Sequence, residues 1–157
     1  MNWYKIAELT VTPQEFKAMS HDEKKALARN TSITPQTQQL FFTDEHASNI
    51  SVLGYLAKNT SITPQTQLLF FTEKYQHKNY ILQYLAENTS ITLEVQRLFF
   101  TEDYGGKTRT LIYLSLNPSF LKGLTPKEMR EFTKTNKLPV YAKRLRQIRF
   151  KFYRLRD

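Results

Sequence analysis

No cysteine occurs in the 157 residues of the chain. That removes disulfides, thiolate nucleophiles and cysteine metal sites together. Glycine stands only at Gly54, Gly105, Gly106 and Gly123. No glycine-rich loop is therefore available to cradle a phosphate, and Gly105-Gly106 reads as a turn. His21, His46 and His77 fall at unrelated spacings, without neighbouring ligands at the intervals a metal site needs. No apolar run approaches the length of a membrane span. Met1–Val11 is broken by Lys5 and Glu8 and lacks a signal peptide's apolar stretch. The expectations are no enzyme, no cofactor, no transmembrane segment, and a cytoplasmic location, in a cell or in an infected cell.

What the chain has instead is repetition. Residues 28–56 recur almost verbatim as 57–85 and more loosely as 86–114, and a further copy opens at Ser115. Asn30, Asn59, Asn88 and Asn117 mark the phase at equal intervals. A unit this short cannot bury a core alone and has to stack on its neighbours. Each copy predicts two helices. Thr34-Pro35 and Thr63-Pro64 have the residue types of an N-cap and a first helical position: a hydroxyl for an orphan amide, then a ring already set to helical φ. The helix that follows carries Leu40, Phe41 and Phe42 in the first copy and ends near Thr43. A second, over roughly 49–58, puts Val52, Tyr55 and Leu56 on one face.

Asn30, Asn59 and Asn88 stand where that second helix stops, and asparagine tolerates the left-handed conformation of many helix ends. Their Asn-x-Ser/Thr triplets, and that of Asn49, read as cap chemistry rather than glycan sites. Ile33, Ile62 and Ile91 fall in the connecting turns as plugs for the seam. The stretches between the helices, Asp44–Ser48, Glu73–Lys78 and Glu102–Thr108, vary most. They are expected to be surface loops on one face, which in such stacks is often the binding face. Upstream, Thr12-Pro13-Gln14-Glu15-Phe16 is a degenerate helix start. Ser20-His21-Asp22-Glu23 is a capping box that opens a helix to about Arg29. Phe16, Met19, Ala26 and Leu27 form its expected inner face, and Trp3 is expected to pack on the first helix pair.

The copies share a Leu-Ala-x-Asn stop, a Thr-Pro start and then a leucine-rich helix. These stand as Leu56-Ala57-Lys58-Asn59 with Thr63-Pro64 and Leu68-Leu69, and as Leu85-Ala86-Glu87-Asn88 with Leu98; Asn117-Pro118 supplies an Asn-Pro. This text, over about residues 20–121, resembles the variant leucine-rich repeats and the wider HEAT-like family of helical solenoids. The unit is longer than is usual for variant leucine-rich repeats. Leu53, Leu82 and Leu111 stand where that family has an arginine. The resemblance implies a right-handed helical stack used for binding, with no catalytic residues to transfer. The iron–sulphur module found with some variant leucine-rich repeats needs cysteines, which this chain lacks. Some HEAT-like solenoids are DNA-repair enzymes with a basic cleft, but here the repeats are electrically neutral.

Charge is the second feature. The net charge is +9, yet residues 1–121 hold eleven Lys/Arg against eleven Asp/Glu. Residues 122–157 hold twelve Lys/Arg against Glu128, Glu131 and Asp157. The whole excess lies in that final stretch, an asymmetry that points to a polyanionic partner. Thr125-Pro126-Lys127-Glu128 reads as a capping box, followed by Met129 and Phe132. Beyond Pro139, the residues Tyr141, Leu145, Ile148, Phe152 and Leu155 form one helical stripe. Lys143, Arg144, Arg146, Arg149, Lys151, Arg154 and Arg156 cover most of the remaining circumference, and Phe150 and Tyr153 lie off the stripe.

The fold expected is all-α: an α-solenoid of helix pairs with a 29-residue period and helical caps at both ends. Residues 1–27 form the N-terminal cap. Residues 28–121 hold three full repeats and the start of a fourth, and 122–157 form a basic helical cap. The function expected is binding without catalysis. The nucleic-acid contact is assigned to Lys143, Arg144, Arg146, Arg149, Lys151, Tyr153, Arg154 and Arg156, with phosphates held by the cations and unpaired bases stacked on Phe150 and Tyr153. Two alternatives stand beside it. One is an anionic membrane surface under the apolar stripe. The other is a protein–protein adaptor or inhibitor that uses the solenoid surface, with an acidic protein patch as partner. Near-identical copies suggest recent duplication, as in phage or host–parasite proteins.

Overall fold

The computed structural model describes residues 9–43, 49–78 and 80–120, together with Lys127. Among the described residues there are nine helices and no strand, and the fold is all-α. They are α1 (Pro13–Ala18), α2 (His21–Arg29), α3 (Pro35–Thr43), α4 (Ile50–Lys58), α5 (Pro64–Leu69), α6 (Glu73–Gln76), α7 (Ile81–Glu87), α8 (Leu93–Thr101) and α9 (Lys107–Leu116). Trp3 with the rest of residues 1–8 of the expected N-terminal cap, the first variable stretch Asp44–Ser48, and the expected cap over 122–157 apart from Lys127 lie outside the described residues.

Helix starts follow from hydroxyl chemistry. The Thr63 side chain accepts from the Thr66 amide at 3.2 Å, and Thr92 accepts from Val95 at 3.3 Å. Thr12 with Glu15, and Ser20 with Glu23, close full capping boxes on α1 and α2. Each such cap satisfies amides that the first turn leaves without an intrahelical partner. Ahead of α1, Leu9 pairs with the turn before α3: its amide donates to Ser32 O, and Thr34 N donates to Leu9 O.

The helices form two rows. In one, α2 packs on α4, α4 on α7 and α7 on α9; in the other, α3 packs on α5 and α5 on α8. The first row is buried on several sides at once, because Val52, Leu53, Leu56 and Ala57 are all buried on α4, as are Ile81, Leu82, Leu85 and Ala86 on α7. Leu53, Leu82 and Leu111 are core residues, which accounts for apolar side chains where an arginine would stand in the variant leucine-rich pattern. The second row is joined by rings. Phe42 meets Phe70 edge-on at 5.1 Å, and Phe71 meets Phe99 edge-on at 5.0 Å. Phe16 closes against Phe41 at 4.9 Å. Ile33, Ile62 and Ile91 are buried in the turns that precede α3, α5 and α8. No described helix is long and apolar enough to cross a membrane.

Three expectations are corrected. The asparagines that end α2, α4, α7 and α9 are not left-handed: Asn30, Asn59, Asn88 and Asn117 have φ of −73°, −68°, −68° and −76° with extended ψ. Their side chains are committed elsewhere, and that use, not helix-end geometry, explains the residue type. The stretch Glu73–Lys78 is not simply a loop, since it contains α6, and α5 stops at Leu69. The cause is Tyr75, which is buried, sets its ring 5.3 Å from Phe42 and donates its hydroxyl to Phe42 O at 3.0 Å. At the N-terminal end Met19 and Ala26 are only half-buried, and Lys24 is buried with its ammonium 4.7 Å above the Phe16 ring. Tyr55 is half-buried and packs against the core beside the buried Val52 and Leu56, with the Arg29 guanidinium over its ring at 3.9 Å.

Candidate functional site

The interior contains two ladders of polar side chains. Asn59 Nδ2 donates to Ala28 O and Asn30 O at 2.8 and 2.9 Å. Asn88 does the same to Ala57 O and Asn59 O, and Asn117 to Ala86 O and Asn88 O. Each Asn Oδ1 accepts from the backbone amide two positions on: Ser32, Ser61, Ser90 and Ser119 in turn. One rung thus satisfies the carbonyls at the end of the preceding helix and fixes its own turn.

The glutamines form a parallel ladder. Gln38 Nε2 donates to Ile33 O and Ser61 O, while its Oε1 accepts from Thr63 N and Thr66 Oγ1. Gln67 bridges Ile62 O, Ser90 O and Thr92 N. Gln96 reaches Ile91 O, but its buried Oε1 has no partner. These amides hold backbone to backbone, so their chemistry is structural. Among the described residues no group of three His, Asp or Glu side chains is placed to hold a metal ion.

The residues assigned to nucleic acid, Lys143, Arg144, Arg146, Arg149, Lys151, Tyr153, Arg154 and Arg156, lie outside the described residues. What the structure does describe is the edge formed by two of the three variable stretches. Gly105 lies near His77, with an added Cβ 3.8 Å from His77 O, and Gly106 takes φ +70° to start α9. Lys107 folds back so that its ammonium donates to Phe100 O and Glu102 O at 2.8 Å each, which caps the end of α8. Tyr104 is buried and donates to Phe99 O at 2.7 Å; burial pushes its phenol well above the ordinary tyrosine value. Tyr80 is 49% exposed, and the Arg109 guanidinium sits 5.5 Å from its ring centroid.

Sequence reasoning treated these stretches as variable and so missed their internal register. Tyr75 and Tyr104 stand one full repeat apart, as do Ser51, Tyr80 and Arg109 in turn. The signal was in the spacing, continued through text that otherwise diverges. Against models of protein families, curated proteins and solved structures alike, the chain has no match.

Proposed function

We propose that this chain is a non-catalytic binding protein, an α-solenoid of repeated helix pairs whose basic C-terminal segment contacts nucleic acid. The solenoid reading is supported by the asparagine rungs at Asn59, Asn88 and Asn117, each of which makes the same pair of backbone contacts in the preceding repeat. The single observation that carries the functional reading is the charge distribution: a neutral 1–121 followed by twelve cations against three acids. Seven of those cations, with no acid between them, stand between Pro139 and Asp157. Arginine predominates among them, which suits bidentate phosphate contacts.

The test is an anisotropy titration of the full chain with a labelled oligonucleotide across a series of salt concentrations. Each phosphate neutralised on a single strand contributes about 0.7 to the slope of log affinity against log salt. Reversal of Arg144, Arg146 and Arg149 to Glu is expected to abolish binding. Replacing the same three by Gln is expected to lower the slope by about 2. Binding that is insensitive to salt and to these changes would contradict the reading.

A second reading, a protein–protein adaptor or inhibitor, is favoured by the edge that carries Tyr80 and Arg109, since tyrosine and arginine dominate energetic centres of protein interfaces. Under it, a captured partner would be retained by the Glu variant.

A further inference from the structure

We propose that Tyr80, with Arg109 over one face of its ring, is a stacking platform for an unpaired base, so that the ligand of this chain is a single strand rather than a duplex. This rests on the nucleic-acid reading above and adds a second contact to it. Tyr80 differs from every other described aromatic residue: the rest are buried or half-buried in the core, whereas Tyr80 stands in solvent at 49% exposure. It is also the one described non-glycine residue with positive φ, at 74°. A bulky side chain in the left-handed region strains the backbone, and strain of this kind persists where the surroundings hold it and clusters at functional positions. Nothing in helix chemistry requires a tyrosine there. Tyr80 is the N-cap of α7, yet its side chain makes no capping bond. A glycine or asparagine would start the same helix without strain.

The neighbour is of the matching kind. Ser51, Tyr80 and Arg109 occupy the same register in successive repeats, near the starts of α4, α7 and α9, which pack one on the next. Tyr80 and Arg109 are therefore neighbours, and the guanidinium lies over one face of the Tyr80 ring, 5.5 Å from its centroid. A phenol ring and a guanidinium plane are the two surfaces on which proteins stack unpaired bases. A duplex offers base edges in its grooves and closes its base faces against one another, so this pair has nothing to stack on in a double strand.

The experiment compares full-length wild type, Tyr80→Gly and Tyr80→Phe in titrations with a labelled single strand and with its duplex, over a range of salt. Tyr80→Gly keeps the backbone carbonyl that accepts from Tyr84 N and relieves the strain. It is expected to raise the Tm while weakening single-strand binding about tenfold, as loss of one base–aromatic stack does. Its salt slope should equal that of wild type, because no phosphate contact is lost. Tyr80→Phe should bind as wild type. Duplex affinity should be the same for all three proteins. Unchanged single-strand affinity in Tyr80→Gly, with the Arg144, Arg146 and Arg149 reversal still abolishing binding, overturns this inference and leaves the basic-segment reading standing. Loss of duplex and single-strand binding in equal measure also overturns it. If Tyr80→Gly leaves oligonucleotide binding intact but releases a protein partner, the surface is a protein interface and the inference fails.

Discussion

Asn88 shows how much one side chain carries. Its amide group holds two carbonyls of the preceding unit, and its oxygen holds the Ser90 amide. The residue is buried, so water cannot replace those partners. Leaving a buried backbone group unpaired costs about 1–3 kcal/mol. Asn88→Ala is therefore expected to lower the unfolding free energy by roughly 2–4 kcal/mol in a denaturant titration. Asn88→Asp should be at least as damaging at neutral pH, since a carboxylate would face two carbonyls. It should partly recover as the pH falls and the carboxyl is protonated, because a buried charge is the unfavourable form. A loss below half a kcal/mol for Asn88→Ala would mean that the rung does not carry the seam.

Gly54 makes the opposite demand. A Cβ there would lie 2.7 Å from the Tyr84 ring, which itself carries the Lys58 ammonium at 4.7 Å. Gly54→Ala gains about 1 kcal/mol of helix propensity but incurs about 1–3 kcal/mol of overpacking. The net expectation is a modest loss, and in a Tyr84→Ala background the sign should reverse to a gain. Equilibrium unfolding of the single variants and the double variant checks it.

At the scale of the element, the glutamine ladder supplies a matched comparison. Gln67 holds three backbone groups, whereas Gln96 holds Ile91 O and leaves its own Oε1 unpaired. Gln67→Met should therefore destabilise clearly, and Gln96→Met should cost less or stabilise, since it removes an orphaned buried oxygen. Equal losses would show that the glutamines act by volume alone. The capping box of α1 adds a pH signature. The Thr12 amide, and then its hydroxyl, hold the Glu15 carboxyl below the ordinary glutamate range. The stabilisation is present above the unfolded value of about 4.3 and is lost as pH falls through the folded value. Amide exchange in α1 should accelerate over that acidic window, and Glu15→Gln should show no such step.

These elements also separate what was legible in the sequence from what was not. The Thr-Pro helix starts, the Ser20–Glu23 capping box and the buried isoleucines of the turns were readable, because each rests on contacts a few positions apart or on burial periodicity. The asparagine rungs were located to the residue but misread. Their partners lie a whole repeat back along the chain, and no local rule connects Asn59 to Ala28. The buried Tyr75 and Tyr104 were hidden inside stretches whose other residues diverge, and the exposure and left-handed backbone of Tyr80 have no sequence signature at all. Leu53, Leu82 and Leu111 were noted as departures from a family pattern. Their burial between packed helices gives the reason.

At the scale of the molecule, neutral and basic stretches are separate in the sequence. The described helices are held by short-range seams of apolar contacts, phenylalanine rings and amide rungs, and over residues 1–121 cations match acids in number. Surface pairs within it, such as Lys58 with Glu87 at 3.0 Å, contribute little to stability at their exposure. The excess positive charge belongs to residues 122–157. Under the proposed function, scaffold and contact surface lie in different stretches of the chain, and a partner should leave its mark on each unequally. Hydrogen–deuterium exchange of the full chain, with and without a saturating single-stranded oligonucleotide, reads that mark directly. Slowed exchange over 139–156, a smaller effect around Tyr80 and Arg109, and no change at the amides of Ser61 and Ser90 in the asparagine seam are the predicted result. Protection spread over the helix rows with none in 139–156 would contradict it.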